Sequence, residues 1–306
     1  MIIDTHAHIY AEEFAEDLGA MLQRASATGV GAILLPNIDV ASIAALEALA
    51  DSATQCIPMM GLHPCYVKEN YQEELAIVEG WLTKRKFAAI GEIGLDYYWD
   101  KTFAKEQQLV FEKQMQWGLD YGLPINIHTR NAMGETIEMV KPFAKKGLKG
   151  IFHCFSGSKE SAEQIVEMGF LLGLGGVLTY KNAGVAEAVV DIPMEFLVLE
   201  TDAPYLPPVP YRGKRNEPAF IIRQKGAKNH TFASILECHG TQDPNTEIVS
   251  NQTKNIKNIK LFEVPESYLA LSFSTENNKS FLLLVCLNKT DITTNHSLTI
   301  NGKQME

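Results

Sequence analysis

From residue 1 to about residue 202, short apolar β-rich runs alternate with longer stretches of helical spacing, and this alternation limits the fold more than any other feature. The strand candidates fall at 1–3, 31–35, 57–61, 87–93, 124–127, 150–152, 170–174 and 196–199. Helical patterns lie between them, for example at 73–81, 105–121 and 158–168. Within 105–121, Leu109, Phe111, Met115 and Leu119 recur at helical spacing and read as core. Successive β-then-α units call for parallel strands, because each helix carries the chain back to the start of the next strand. Eight such units in roughly 220 residues predict an α/β fold, a (β/α)8 TIM-type barrel, with a doubly wound open sheet as the alternative. A chain of 306 residues, 46% of them hydrophobic, is large enough to bury such a core.

Composition narrows the function classes. A formal net charge of -10 gives a surface that repels polyanions and bilayers, so a nucleic-acid substrate would have to be gripped locally. The five cysteines (Cys56, Cys65, Cys154, Cys238 and Cys286) are scattered and never form a C-x-x-C pair, which fits reduced thiols in a cytoplasm. The N-terminus does not resemble a signal peptide, and the longest apolar runs, such as 281–287, are too short to cross a bilayer. A cytoplasmic protein without a membrane partner is expected, with a monomer as the expected state.

The chemistry-bearing residues sit where the strands end. His6 and His8 follow the first strand with one residue between them, so on extended backbone both imidazoles face the same way. His63 ends the third run, Glu92 lies in the fourth between Gly91 and Gly94, His128 and Arg130 end the fifth, His153 the sixth and Asp202 the last. In a parallel barrel all these ends open on one face. A carboxylate in an apolar strand needs a cation or several donors. Four imidazoles (His6, His8, His128, His153) with Glu92 and Asp202 are too many ligands for one tetrahedral ion, and fit two cations bridged by a carboxylate. Glu92 is the natural bridge, and Asp202 would hold one metal and accept a proton from the attacking water. Mixed nitrogen and oxygen ligands admit Zn²⁺, Mn²⁺, Fe²⁺ or Co²⁺, with Mg²⁺ at the carboxylate-rich end. Two divalent ions (zinc, manganese or magnesium) are the expected cofactors. Cys154, beside His153, is discounted as a ligand because its side chain should point away from the interior.

These residues lie in stretches that resemble the TatD-like metal-dependent deoxyribonucleases, within the amidohydrolase-type barrels: IIDTHAHIY at 2–10, GLHP at 61–64, IGEIGLDYYW at 90–99, PINIHTR at 124–130, FHCFSGS at 152–158, LVLETDAPYLPP at 197–208 and PYRGKRNEP at 210–218. The resemblance covers residues 1–222. It implies metal ligands at His6, His8, Glu92, His128, His153 and Asp202, a substrate-facing role for His63, and hydrolysis of DNA phosphodiesters, from a strand end as reported for related members. Arg130 and Arg212 are the candidates for contacts to neighbouring phosphates, and 211–215 is the dense basic cluster near the site. Short or single-stranded DNA ends are the expected partner. Asn131 departs from the acidic residue that often follows this triplet in the family, which bears on support of the ligands rather than on the metals.

Beyond residue 222 the character changes: asparagine rises from 6 in residues 1–222 to 10 in the remaining 84. The expected organisation is a barrel over 1–262, in which 255–262 resembles the family's closing helix, and an extension over 263–306. In that extension 268–274 and 281–287 read as a hairpin around Glu276-Asn277-Asn278. The extension is either an added β unit or sequence from a shifted reading frame. Two other functions stay open: hydrolysis of a small amide, lactone or phosphoester on the same metals, and a non-catalytic barrel compromised by its tail.

Overall fold

The computed structural model describes residues 2–221 in full and, beyond them, the backbone of seven strands between Thr241 and Met305. Contacts divide the chain into two compact units, Met1–Gln224 and Lys225–Glu306.

In the first unit eight strands alternate with seven helices: β1 (Ile2–Asp4), α1 (Leu18–Ala27), β2 (Val30–Pro36), α2 (Ile43–Ser52), β3 (Cys56–Met59), α3 (Tyr71–Leu82), β4 (Ile90–Asp96), α4 (Ala104–Tyr121), β5 (Ile125–Arg130), α5 (Met133–Lys145), β6 (Gly150–Phe152), α6 (Lys159–Glu167), β7 (Leu171–Leu174), α7 (Val185–Val189) and β8 (Leu197–Leu199). Every neighbouring pair is parallel and in chain order. Two parallel bridges close the ring, Met60 with Ile90 between β3 and β4, and Ala7 with Ala203 between β8 and β1. The closure excludes the open sheet and gives the TIM-type barrel. No helix among the described residues is long and apolar enough to cross a membrane.

The period of two along the strands separates core from site. Ile93 and Leu95 of β4 and Ile125 and Ile127 of β5 join Val110, Phe111 and Met115 of α4 in one apolar cluster. The intervening Glu92, Asp96, Asn126 and His128 form polar contacts with His6 and with one another. Leu109 is a correction: it is 58% exposed, because Phe111, Gln114, Met115 and Gly118 define the inward stripe of α4 and residue 109 lies on its outer face.

Gly94 has φ of +141°, and a Cβ there would collide with the carbonyl of His128 on β5. Gly94→Ala is therefore expected to destabilise the barrel by about 3 kcal/mol, measured by denaturant unfolding. An unchanged midpoint would show that the two strands can part without cost.

After β8 the chain is tied to the start of the barrel. Arg24 of α1 donates to both Glu217 oxygens at 2.8 and 2.6 Å. Arg215 pairs with Asp17 at 2.7 and 2.9 Å and lies over the Phe14 ring.

In the second unit β9 (Thr241–Gln242) pairs with β10 (Val249–Ser250), and β14 (Leu298–Ile300) with β15 (Lys303–Met305). A three-stranded antiparallel sheet has the order β11 (Ile256–Phe262), β12 (Tyr268–Thr275), β13 (Ser280–Cys286). β12 and β13 pair antiparallel, Tyr268 opposite Cys286 and Ser274 opposite Ser280, over the two runs read as a hairpin; residues 276–279 lie outside the described residues. The closing helix read at 255–262 is corrected to strand β11. Its three-residue spacing of isoleucines mimics a helix, but asparagine is a poor helix former and the β-branched isoleucines favour extended backbone once a ladder partner is available.

Candidate metal centre

β4 and the ends of β1, β3, β5 and β6 bring one carboxylate, Glu92, against five imidazoles. Glu92 Oε2 lies 3.3 Å from His6 Nε2 and 3.5 Å from His8 Nε2. Its Oε1 lies 3.0 Å from His128 Nδ1, 2.9 Å from His153 Nε2 and 3.4 Å from His63 Nε2. Asp202 Oδ1 completes the first side, 3.8 Å from His6 Nε2 and 3.6 Å from His8 Nε2. Glu92 is 2% exposed and His6 is fully buried, so these groups are not dissolved in water.

The hydrogen bonds around the rings fix their tautomers. Tyr10 gives its only hydroxyl proton to the Pro36 carbonyl at 2.6 Å, so the phenol oxygen accepts from His8 Nδ1–H at 3.1 Å. Asn126 Oδ1 accepts from His6 Nδ1–H at 2.8 Å. Both Nε2 atoms then carry lone pairs, yet they face each other at 3.1 Å. Two lone pairs at that distance repel unless a positive charge lies within reach of both. The donor set therefore fits a divalent cation, which imidazole and carboxylate bind readily.

On the other side, His128 Nε2–H donates to Asp96 Oδ2 at 2.9 Å, which leaves Nδ1 as the atom free to hold a cation. Burial lowers the His128 pKa, but Asp96 and Glu92 outweigh it and raise it overall. The same contest, with Glu92 and Glu200 as the opposing charges, lifts His153 well above the ordinary range. Burial opposes ionisation of Glu92, yet His63, His153 and His6 hold it well below the usual carboxylate value. Burial pushes Asp202 up to about 6. Three groupings of close ligand atoms result: His6, His8 and Glu92; His6, His153 and Asp202; and His63, Glu92 and His128.

His63 differs from the rest. Its Nδ1 accepts the backbone N–H of Cys65 at 3.1 Å, so the neutral ring carries its proton on Nε2, the atom that faces Glu92. Burial lowers its pKa and keeps it neutral. It thus presents a donor to the site rather than a lone pair.

The two arginines named from the sequence stand on aromatic rings. Arg130 lies 3.7 Å from the centroid of Tyr98, and Arg212 lies 4.0 Å from that of Tyr180. The basic cluster at 211–215 is less available than its composition implies, because Arg215 is committed to Asp17. Backbone strain gathers at the same rim: Asn131, Cys154, Asp202 and Leu206 have φ of 53°, 45°, 57° and 48°.

Sequence reading missed the residues that orient these ligands. They are Tyr10, Asn126, Asp96 and Glu200, the last fully buried with one oxygen on the Cys154 N–H and 3.5 Å from His153 Nδ1. Gly173 leaves the space that Glu200 fills, since a Cβ there would collide with the carboxylate. Tyr10→Phe is expected to weaken divalent-ion binding by about tenfold, measured by competition with a chromophoric chelator. Unchanged affinity would mean that the phenol does not set the His8 tautomer.

The family described as TatD related DNase matches over residues 3–241. The chain is 38% identical over 222 residues to YabD of Bacillus subtilis (strain 168), an uncharacterized metal-dependent hydrolase, a match covering 72% of this chain and 87% of that protein. It is 32% identical over 266 residues to the uncharacterized metal-dependent hydrolase YjjV of Escherichia coli (strain K12), covering 86% and 98%. The crystal structure of YjjV, a TatD homolog, superposes with a TM-score of 0.68 over 71% of this chain and 85% of that one. A hydrolase of the TatD family from Entamoeba histolytica superposes with a TM-score of 0.62 at 25% identity, over 71% and 87%.

Proposed function

This chain belongs to the TatD family of metal-dependent hydrolases, and from that premise we propose that it hydrolyses DNA phosphodiesters with two divalent cations. His6, His8 and Asp202 would hold one cation and His128 and His153 the other, with Glu92 between them. The observation that carries the reading is the division of Glu92, whose Oε2 serves the His6–His8 side and whose Oε1 serves the His128–His153 side. Zinc and manganese suit the imidazole-rich donor set best, and magnesium suits the carboxylate end. When bound, such a pair supplies the charge that polarises a phosphoryl oxygen and acidifies an attacking water.

The chain's own residues do the rest. Asp202 is a proton acceptor: burial sets its pKa at about 6, where a carboxylate exchanges protons readily near neutrality. His63 offers an N–H to a substrate oxygen from a ring that stays neutral. Arg130 and Arg212 use their guanidinium faces for stacking and keep their N–H edges for phosphate oxygens. A net charge of -10 disfavours extended duplex binding and favours short or single-stranded ends that reach a local site. All these residues precede Gln224, within the first compact unit.

The test is metal-dependent release of mononucleotides from an end-labelled single strand, set beside a panel of lactones, amides and small phosphoesters. Release from DNA that chelation abolishes is the expected result. Turnover of the small esters alone would move the reading to a small-molecule hydrolase.

A further inference from the structure

Two large aromatic rings stand out from the barrel rim directly after β4. Trp99 is 69% exposed and Tyr98 51%, and the rings meet edge to face with centroids 4.8 Å apart. Their backbone is pinned: Asp96 Oδ1 accepts the N–H of Tyr98 at 2.9 Å and of Trp99 at 3.3 Å. The other oxygen of the same carboxylate accepts from His128 Nε2. One buried side chain therefore fixes both the aromatic loop and an imidazole of the metal centre.

Arg130 supplies the third wall. It lies two residues beyond His128, hence on the same face of β5 and about 7 Å farther along the strand. Its guanidinium sits 3.7 Å from the Tyr98 centroid and 5.2 Å from that of Trp99. Among the described residues, Arg24, Arg85 and Arg215 all make ion pairs. Arg130 does not, and nor does Arg212, the other arginine at the rim. In a chain of net charge -10, an arginine left off the carboxylates and laid on an exposed ring is a site for something flat and anionic. An apolar protein surface docking here would bury that guanidinium without a counter-charge. A nucleobase tethered to a phosphodiester meets both demands, since its face stacks on the rings and its phosphate takes the charge.

We propose that Tyr98, Trp99 and Arg130 form a stacking subsite for the nucleobase next to the scissile phosphodiester of a single-stranded polynucleotide. The subsite rests on the reading of phosphodiester hydrolysis above, and adds to it the three side chains that would grip an unpaired base. Stacking accepts any base, so the subsite selects for single strands and not for sequence.

The test uses the full chain in the presence of chelator, so that binding is read without turnover. Of the three tryptophans, Trp117 is buried and Trp81 half-buried, which leaves Trp99 as the accessible fluorophore. Titration with hexathymidylate should quench tryptophan fluorescence saturably, and an abasic strand of equal length should not. By anisotropy of a labelled strand, Trp99→Ala and Arg130→Gln should each bind about tenfold more weakly. With metal present, Trp99→Ala should raise KM for the strand by a similar factor and leave kcat within about twofold. Wild-type protein that cleaves DNA but binds the abasic strand equally well would overturn the subsite alone. So would a Trp99→Ala variant that binds like wild type. Protein that neither binds nor cleaves the strand would overturn the hydrolytic reading with it. Quenching that grows with protein concentration in the absence of DNA would assign the rings to a second copy of the chain, and the subsite would again fall.

Discussion

Glu92→Gln is expected to lower kcat/KM for phosphodiester hydrolysis by about 10⁴-fold, because one substitution strikes both cation sites. An amide keeps the size of the carboxylate but offers one acceptor oxygen and one NH₂ donor. Whichever way it turns, one set of imidazoles loses its anionic partner and meets hydrogens instead. Metal content should then fall from about two equivalents per chain to one or fewer, read by elemental analysis. The deficit should also be non-additive. Glu92→Gln combined with Asp202→Asn is expected to cost little more than Glu92→Gln alone, since both act through the same pair of ions. A Glu92→Gln protein that keeps both metals and a rate within tenfold of wild type would remove the bridge from the account.

Chelation is expected to lower the melting temperature by about 10 °C for each ion removed. A ligand at a thousandfold excess over its Kd stabilises the fold by about 4 kcal/mol, and a barrel of this length shifts by about 2–4 °C per kcal/mol. The same competition gives a pH dependence whose sign follows from the imidazoles. A cation takes a ring nitrogen only after the proton has left it. Burial works against protonation of His128 and His153, but Asp96, Glu92 and Glu200 outweigh it and raise both above 6.5. These rings hold their protons to higher pH than a free imidazole. Cation affinity should therefore rise as pH climbs through the raised values, and fall on acidification by about tenfold per pH unit for each proton displaced. Competition titrations at pH 6, 7 and 8 measure the slope. A flat profile would show that neither ring binds a cation.

The ligand candidates were legible because each is a titratable residue at the end of an apolar run, where nothing bland accounts for it. Their supports were not, although one rule would have found them. Along these segments Asp4, His6, His8 and Tyr10 share parity, as do Glu92 and Asp96, Asn126 and His128, and Glu200 and Asp202. Side chains two apart on extended backbone face one way, so each support points to the same side as the ligand candidate on its own segment. What sequence alone withholds is the partner across the barrel, such as Asn126 for His6, since that pairing depends on strands far apart in the chain. The same limit explains Leu109 and 255–262. Spacing at two or three positions fits more than one phase or period, and the surrounding packing decides which is realised.

The junction at Ala7 and Ala203 sets an order of events during synthesis. Asp202 N–H donates to the His6 carbonyl at 2.9 Å, so the first and last ligands of the chain become neighbours only when the eighth strand returns to the first. Glu92, His128 and His153 stand on strands that follow one another, and they can assemble as soon as the sixth strand has left the ribosome. The amino-terminal pair of imidazoles is made first and completed last. The residues that face Glu92 from β1 thus gain Asp202 as a neighbour only through the closure of the ring.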